Sequence, residues 1–473
     1  MGKASALFNG VGDETLYKRI TPSAEQREFL QVQWNALADH LKLRLTANTG
    51  YPISTWLQGS YKYGTLIRPV HKGEEYDVDV GVYFEWRAGV SEPPSALQLR
   101  KWVQREMVSY MSVCSDLLKV DEPPKERCSR AVYAQQFHID TPVYHLEPRK
   151  RTRRLACLSG QWEESDPKAF YRWFKGAVDA DDREQVRRLV RYLKGWAAVA
   201  FDDAPSARPS SILLTVLIAD AFKAPWLIFS VLSDDDALIG VLKKIYDRLV
   251  ANSVVPNPVD RNENLNRIER ESWSAFIIRL RFLRDAAVRA DEAEDEVTAA
   301  LAWSETFSFL MPLPTAAGVE YLDDGREAPV LPMPDIDIEV YSERKRQAPE
   351  KFRNAVFSVP LGRKLRFTIA NPIIIPDYAT VEWTLRNDHG ALDTLGDLGC
   401  RKIGIQMFSM DTLMSYAGQH FVDCVIRVHG QVYAVRRVPV SVSVWNGTAT
   451  AATLATQATT TIRSSLKGRM KWI

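Results

Sequence analysis

The stretch Tyr76-Asp77-Val78-Asp79-Val80-Gly81-Val82 decides how this chain is read. Its polar and apolar residues alternate with a period of two, the pattern of a half-buried strand. Asp77 and Asp79 therefore share one face, while Val78, Val80 and Val82 share the other. Side chains two apart on a strand are separated by roughly 6–7 Å at the backbone. Like charges held that close cost stability unless a cation lies between them. Two such carboxylates can converge on a divalent ion, and a pair of ions about 4 Å apart is a common device of polymerase-type phosphoryl transfer. Magnesium takes such hard oxygen ligands, with substrate phosphates completing its octahedron.

Working outward, a third carboxylate is expected from a neighbouring strand. Phe137-His138-Ile139-Asp140-Thr141-Pro142 supplies one, with Phe137 and Ile139 alternating around it. Upstream, Gln58-Gly59-Ser60 reads as a strand-to-helix turn. Glycine lets the backbone approach a phosphate closely, and the Ser60 hydroxyl with nearby N–H groups can bind its oxygens. Alone, a D-x-D reads equally as a solvated face or a structural ion pair. The order Gly-Ser, D-x-D, then a lone Asp in an apolar strand carries the assignment. Asp335-Ile336-Asp337-Ile338-Glu339-Val340 repeats the D-x-D without a preceding Gly-Ser, beside a proline-rich stretch, and reads as an ordinary charged strand edge. On a periodic helix over 182–201, Arg187, Arg191 and Lys194 fall at i, i+4 and i+7 and form a basic ridge. Opposite them run Val186, Leu189, Leu193 and Trp196. The ridge is either a solvated face or a surface turned to a triphosphate, with Ser210 at the start of the next helix adding donors.

The bulk numbers bound the rest. A chain of 473 residues suggests two or three domains, and a net charge of +2 suits neither a nucleic-acid-coating protein nor an acidic solvating chain. The five cysteines (114, 128, 157, 400 and 424) show no C-x-x-C spacing, as expected of buried, reduced thiols in a cytoplasmic protein. The first residues lack the cationic and apolar regions of a leader. The most apolar window, 212–232, is interrupted by Asp220, Lys223 and Pro225, and reads as a buried helix followed by a bend, with no membrane partner. A helix is expected over 23–44 with Ser23 and Gln26 as a capping box. Strands follow at 76–84 and around 132–140, with helices near 97–119 and 167–178 and helical sequence to about 310. Residues 1–310 read as one core with a helical lobe and 311–350 as a proline- and charge-rich linker. Residues 351–445 read as a β-rich domain with a hairpin turn at His429-Gly430-Gln431, and 446–473 as a flexible basic tail.

The segments QGSYKYGTLI (58–67), YDVDVGVYF (76–84), FHIDTPVY (137–144), WEESDPKAF (162–170), RYLKGW (191–196) and PSSILL (209–214) together resemble a bacterial cGAS/DncV-like nucleotidyltransferase (CD-NTase) of the DNA polymerase β-like superfamily, over roughly residues 20–310. VEWTLRNDHG (381–390) and YAGQHFVDCVIRV (416–428) resemble the AGS-C domain found C-terminal to some of these enzymes. The resemblance implies an α+β fold: a nucleotidyltransferase sheet with a helical lobe, then a small β-rich domain. It implies that Asp77 and Asp79 hold two Mg²⁺ ions, for which Mn²⁺ can substitute, and that Asp140 completes the ion activating the attacking ribose hydroxyl. Gln58, Gly59, Ser60, Lys194 and Ser210 would meet nucleotide phosphates, and Tyr63 would stack near a base. The implied product is a cyclic oligonucleotide made from ATP, GTP or pyrimidine triphosphates for bacterial antiphage (CBASS) signalling, with a protein regulator or effector as partner. The alternatives are template-independent nucleotide transfer to RNA or protein, and a non-catalytic nucleotide sensor. Animal cGAS carries a zinc-binding Cys/His insertion. Here His138 and His145 are seven apart and the cysteines scattered, so a nucleic-acid partner is not expected. Base choice, linkage and ring size stay open.

Overall fold

The computed structural model describes residues 2–12, 14–71, 73–87, 89, 92–134, 136–222, 232–313, 333–341, 348–387, 400–415 and 417–443. Two short helices, α1 (Ser5–Asn9) and α2 (Leu16–Ile20), precede a long one, α3 (Ala24–Thr49). The expected capping box forms: Ser23 Oγ accepts from Gln26 N–H at 3.1 Å, and Gln26 Oε1 accepts from Ser23 N–H at 3.0 Å. Gly50, left-handed at φ 73°, ends the helix. There follow β1 (Ile53–Gln58), α4 (Gly59–Tyr63), β2 (Tyr76–Glu85), α5 (Ala96–Tyr110), β3 (Leu117–Val120), β4 (Cys128–Tyr133), β5 (Phe137–Glu147), β6 (Thr152–Ala156) and β7 (Trp162–Glu164). These strands make one sheet in the order β1-β2-β5-β4-β3, with β6 on β5 and β7 on β6. Strands β2 and β5 run parallel, a connection made possible by the α5 crossover. Val78, Val80, Val82 and Phe84 of β2 pack with Phe137, Ile139 and Val143 of β5 against Leu37, Leu41 and Leu45 of α3 and Leu99, Val103 and Met107 of α5.

Two expected elements differ. The strand read around 132–140 is two strands, β4 and β5, folded back through a turn in which Gln136 is left-handed (φ 57°). The helix read over 97–119 stops at Tyr110, and residues 117–120 join the sheet as β3.

The helical lobe comprises α6 (Pro167–Gly176), α7 (Arg183–Ala200), α8 (Ser211–Phe222), α9 (Asp234–Ala251), α10 (Arg270–Asp291) and α11 (Glu296–Phe307). The Val186, Leu189, Leu193 and Trp196 stripe of α7 is buried in it. The basic ridge on the same helix is not a solvated face. Arg187 Nε donates to the Tyr63 carbonyl at 2.9 Å, Lys194 Nζ to that of Thr65 at 2.9 Å and Arg191 Nε to that of Leu66 at 3.3 Å. The ridge thus clamps the loop that leaves α4. Residues 223–231 of the apolar window lie outside the described residues, and no described helix is long and apolar enough to cross a membrane.

The second unit is a β sandwich of β8 (Ile336–Tyr341), β9 (Glu350–Arg353), β10 (Val356–Pro360), β11 (Lys364–Ile369), β12 (Thr380–Asn387), β13 (Cys400–Ile405), β14 (Ser409–Leu413), β15 (Gly418–Val428) and β16 (Gln431–Ser443). One sheet runs β10-β16-β15-β12-β13 and the other β14-β11-β8-β9. Strand β8 falls inside the span read as linker, and it lies between β11 and β9 rather than at an edge. Its alternation explains why: Ile336, Ile338 and Val340 enter the sandwich core with Trp383, Val422 and Val440, and Asp337 and Glu339 point away. His429 and Gly430, left-handed at φ 52° and 84°, form the expected turn between β15 and β16. The tail read over 446–473 lies outside the described residues.

Part of the outer face of the five-stranded sheet is buried as well. Val425 and Val435 join the helical-lobe core, and a buried ion network ties the N-terminal segment to the sheet. Glu14 accepts from Arg19 at 2.9 Å and from Arg386 at 3.1 Å; Asp423 accepts from Arg386 at 2.6 Å and from Arg437 at 3.0 Å. Burial would raise the pKa of Glu14 and Asp423, but the surrounding guanidinium charges outweigh it and hold both below the ordinary carboxylate range. Both groups therefore stabilise the folded state fully above their unfolded values, near 4, and lose that contribution as pH falls through the lower folded ones. Stability by chemical denaturation should drop between about pH 5 and pH 3, with a shallower slope in Asp423→Asn; equal slopes would refute the assignment. In the lobe, Phe8 is fully buried and edge-on to Tyr192 and Trp303, at 5.2 Å each. Phe8→Ala should cost about 3–5 kcal/mol in the same measurement.

Candidate active site

The site is the face of the first sheet opposite its apolar core. Register sets it: Gln58 lies opposite Asp79, Asp79 opposite Asp140, and Asp77 opposite His138. Three carboxylates from two parallel strands are thereby gathered on one face. One ligand atom each from Asp77, His138 and Asp140 lie within 4.8 Å of one another.

The three carboxylates have different surroundings. Asp140 is held bidentately by Arg130 of β4, Nε to Oδ1 at 2.6 Å and Nη2 to Oδ2 at 2.8 Å, with Lys125 Nζ 3.6 Å away. Asp77 Oδ1 is 3.0 Å from His138 Nε2, and His138 Nδ1 is 2.7 Å from Glu75 Oε2. Burial would raise the Asp77 pKa, but the hydrogen bond and charge of His138 keep it low. Burial would likewise lower that of His138, yet Asp77 holds it up. Asp79 makes no hydrogen bond or ion pair among the described residues. Burial, then repulsion from Asp77 and Asp140, pushes its pKa well up. An unpaired carboxylate facing two others is a site that a cation would relieve, so the donor set fits divalent metal.

Gly59 explains the Gly-Ser turn. It is left-handed (φ +64°), and a Cβ there would sit 1.9 Å from Asp79 Oδ2. Ser60 follows in α4; its carbonyl accepts from Thr65 N–H at 2.9 Å, and its hydroxyl makes no hydrogen bond among the described residues. Gln58 is only 5% exposed, and its amide is committed: Nε2 donates to Tyr83 Oη at 2.9 Å, and Oε1 accepts from Tyr144 Oη at 3.2 Å. Those two rings stack at 4.8 Å.

Tyr63 packs against α6, stacked on Tyr171 at 6.0 Å with Phe170 at 5.7 Å and Phe174 at 5.8 Å. Burial and then the Asp79 charge raise its phenol pKa. Lys194 is buried, with its pKa pushed down to about 8 by desolvation and partly restored by Asp77. Ser210 Oγ accepts from Leu213 N–H at 3.3 Å, capping α8. A cavity of about 430 Å³ lies between α3, β1 and α4, lined by residues such as Trp34, Trp56, Tyr61 and Lys62 and by none of the carboxylates. The cavity lining offers Tyr61 and Lys62 but no carboxylate or histidine to hold a metal, unlike the sheet face that carries Asp77, Asp79 and Asp140.

Sequence reasoning missed Arg130, Glu75 and the partnership of His138 with Asp77. A signal for Arg130 exists: folding 128–147 as a hairpin about residue 135 puts Arg130 opposite Asp140.

Comparison with known proteins agrees with this geometry. Residues 53–144 match the nucleotidyltransferase domain of "Cyclic GMP-AMP synthase DncV-like" proteins, and residues 323–443 match the "Adenylyl/Guanylyl and SMODS C-terminal sensor domain". A cyclic GMP-AMP synthase of Escherichia albertii is 28% identical over 412 residues, covering 86% of this chain and 88% of its own length. A c-di-GMP synthase of Roseivirga ehrenbergii is 26% identical over 248 residues, 46% of this chain and 61% of that protein. The crystal structure of Vibrio cholerae DncV cyclic AMP-GMP synthase superposes with a TM-score of 0.56 at 17% identity, over 67% of this chain and all of that one. The same fold is seen in its complex with the linear intermediate pppA(3′,5′)pG, at a TM-score of 0.54 and 17% identity over 67% of this chain and 99% of that one. The carboxylates lie on the expected strands, and the chain joins a DncV-like nucleotidyltransferase domain over 53–144 to an AGS-C domain over 323–443.

Proposed function

We propose that this nucleotidyltransferase joins two nucleoside triphosphates of the ATP/GTP type and closes them into a cyclic oligonucleotide, in the cytoplasm, as a signal in antiphage (CBASS) defence. The observation that carries the reading is Asp79, a carboxylate without a partner among the described residues, set between Asp77 and Asp140 by strand register. The named activities of the E. albertii and R. ehrenbergii relatives support cyclisation over transfer to RNA or protein. A near-neutral net charge of +2 argues mildly against a basic track for RNA.

Asp77, Asp79 and Asp140 would hold two Mg²⁺ ions, which when bound neutralise phosphate charge and lower the pKa of the attacking hydroxyl. The chain's own residues supply positioning. Gly59 brings its backbone against Asp79 and lets the turn approach phosphate. The Ser60 hydroxyl, without a hydrogen bond among the described residues, is available to phosphate oxygens, and Lys194 contributes positive charge from the lobe. Ser210 would add to that phosphate contact from the start of α8. Gln58, spent on Tyr83 and Tyr144, supports the turn from below. Tyr63 would stack near a base. In the reaction a ribose 2′- or 3′-hydroxyl attacks the α-phosphorus of a second triphosphate. The P–O bond to the β,γ-phosphates breaks, pyrophosphate leaves, and the hydroxyl proton passes to the carboxylate cluster, with Asp140 as the base that the family resemblance implies. A second attack in the other direction closes the ring. Positioning and charge stabilisation provide most of the rate in such transfers.

Incubation with pairs of labelled nucleoside triphosphates and Mg²⁺, then phosphatase, should leave a resistant product identified by mass. Asp79→Asn should lower its formation by at least about 10²-fold. Linear products formed only with added RNA would instead select the transferase reading, and nucleotide binding without product would select the sensor. Gly59→Ala places a methyl against the Asp79 carboxylate, and displacing a catalytic group by about 1 Å can cost 10²-fold. Its product yield should fall by roughly that factor while far-UV circular dichroism is retained; unchanged yield would show the approach to be incidental.

A further inference from the structure

Four polar side chains on the site face come in two pairs. Glu75, just before β2, and Asp77 are two apart, as are His138 and Asp140 at the start of the parallel β5. His138 stands between the acids of the other strand. Its Nδ1 is 2.7 Å from Glu75 Oε2, and its Nε2 faces Asp77 Oδ1 at 3.0 Å. The ring is 6% exposed and held at both nitrogens.

A carboxylate on one imidazole nitrogen, with the other nitrogen aimed at oxygen ligands, is the outer support that metal-binding histidines commonly carry. It fixes the ring and leaves the far nitrogen as donor. The spacing also suits ligation. Neighbouring ligands of an octahedral ion at 2.0–2.1 Å are about 3 Å apart, the Nε2–Oδ1 separation seen here. The third donor, Asp140, brings a ligand atom within 4.8 Å of theirs, and Asp79 beside them has no partner among the described residues.

We infer that His138 is a metal ligand: with Asp77 and Asp140 it forms a mixed nitrogen–oxygen site, braced by Glu75, that binds Mn²⁺ or Co²⁺ more tightly than Mg²⁺. The inference rests on the reading that these carboxylates hold divalent metal. It adds a nitrogen donor, and imidazole favours the transition metals whereas magnesium prefers oxygen. The opposing account is that His138 merely bridges two carboxylates as a cation. A bound ion tells them apart, since a ligand nitrogen carries isotropic hyperfine coupling to the metal that an uncoordinated ring nearby lacks.

The test uses the full chain with Mn²⁺, alone and with an α,β-methylene nucleoside triphosphate. Electron spin echo envelope modulation should show ¹⁴N coupling from a bound imidazole, and histidine labelled with ¹⁵N should convert that signal. His138→Asn should abolish it and weaken Mn²⁺ binding by about 10–100-fold, with Glu75→Gln weakening it by about 10-fold. Mg²⁺ affinity should move far less in either variant. Mn²⁺ bound without nitrogen coupling in the wild-type chain would overturn the role of His138 and leave the carboxylate site standing. No Mn²⁺ binding under either condition would overturn both. The wild-type spectra decide the matter even if His138→Asn does not fold.

Discussion

The parallel pairing of β2 with β5 is the constraint from which the site follows. It fixes Asp79 opposite Asp140 and Asp77 opposite His138, so acids far apart in sequence share one surface. The same pairing buries Val78, Val80 and Val82 on the far side, so the register is specified by the core. A one-residue slip would turn the valines to solvent and the carboxylates inward, a change the apolar face does not tolerate. Core packing thus pins a charge arrangement that is unfavourable by itself. Its strain is relieved unevenly: Arg130 neutralises Asp140, His138 Nε2 faces Asp77 Oδ1 at 3.0 Å, and Asp79 has no partner among the described residues.

The helical lobe is fastened to this surface through backbone, not through side chains of the turn. Arg187, Lys194 and Arg191 spend their cationic groups on the carbonyls of Tyr63, Thr65 and Leu66. A cation donating to a carbonyl forms a charge-assisted hydrogen bond, stronger than a neutral one. Three in succession along one helix face hold the loop after α4 at a fixed height above the carboxylates. That placement keeps Lys194 close enough for Asp77 to offset part of its desolvation. One ridge is therefore a structural clamp and a source of positive charge at the site.

Much of this was legible in the sequence where local pattern and tertiary demand agree. The D-x-D alternation, the Ser23–Gln26 capping box and the His429-Gly430 turn each have a short-range cause, and each appears as expected. What could not be read depends on register between distant segments. Arg130 was invisible as the partner of Asp140 while 132–140 was taken for one strand, because the pairing exists only across the hairpin. The ridge on α7 reads as solvated because its acceptors are backbone carbonyls, which leave no sequence signature. Proline-rich flanks hid β8, although its own alternation is as regular as that of β2. His138 lacks zinc-motif spacing, and its significance comes from Glu75 and Asp77 on the adjacent strand.

The position of the β domain follows from a similar balance. Its five-stranded sheet is covered on one face by the sandwich core and over part of the other by the lobe, where Val425 and Val435 supply apolar contact. Between them lies the Glu14, Arg19, Arg386, Asp423 and Arg437 network, with Arg19 Nη2 and Arg386 Nη2 buried and unpartnered among the described residues. Each orphaned donor costs about 1–3 kcal/mol, so the network orients the domain more than it stabilises it. Burial and the neighbouring guanidiniums push Arg19 down to about 9, another mark of crowded positive charge. Arg19 also donates to the Phe309 carbonyl at 3.0 Å, and the Ile20 carbonyl accepts from Arg68 N–H at 2.8 Å. The N-terminal segment therefore touches the β domain, the end of the lobe and the loop beyond α4. It is the piece through which the position of one is fixed relative to the others.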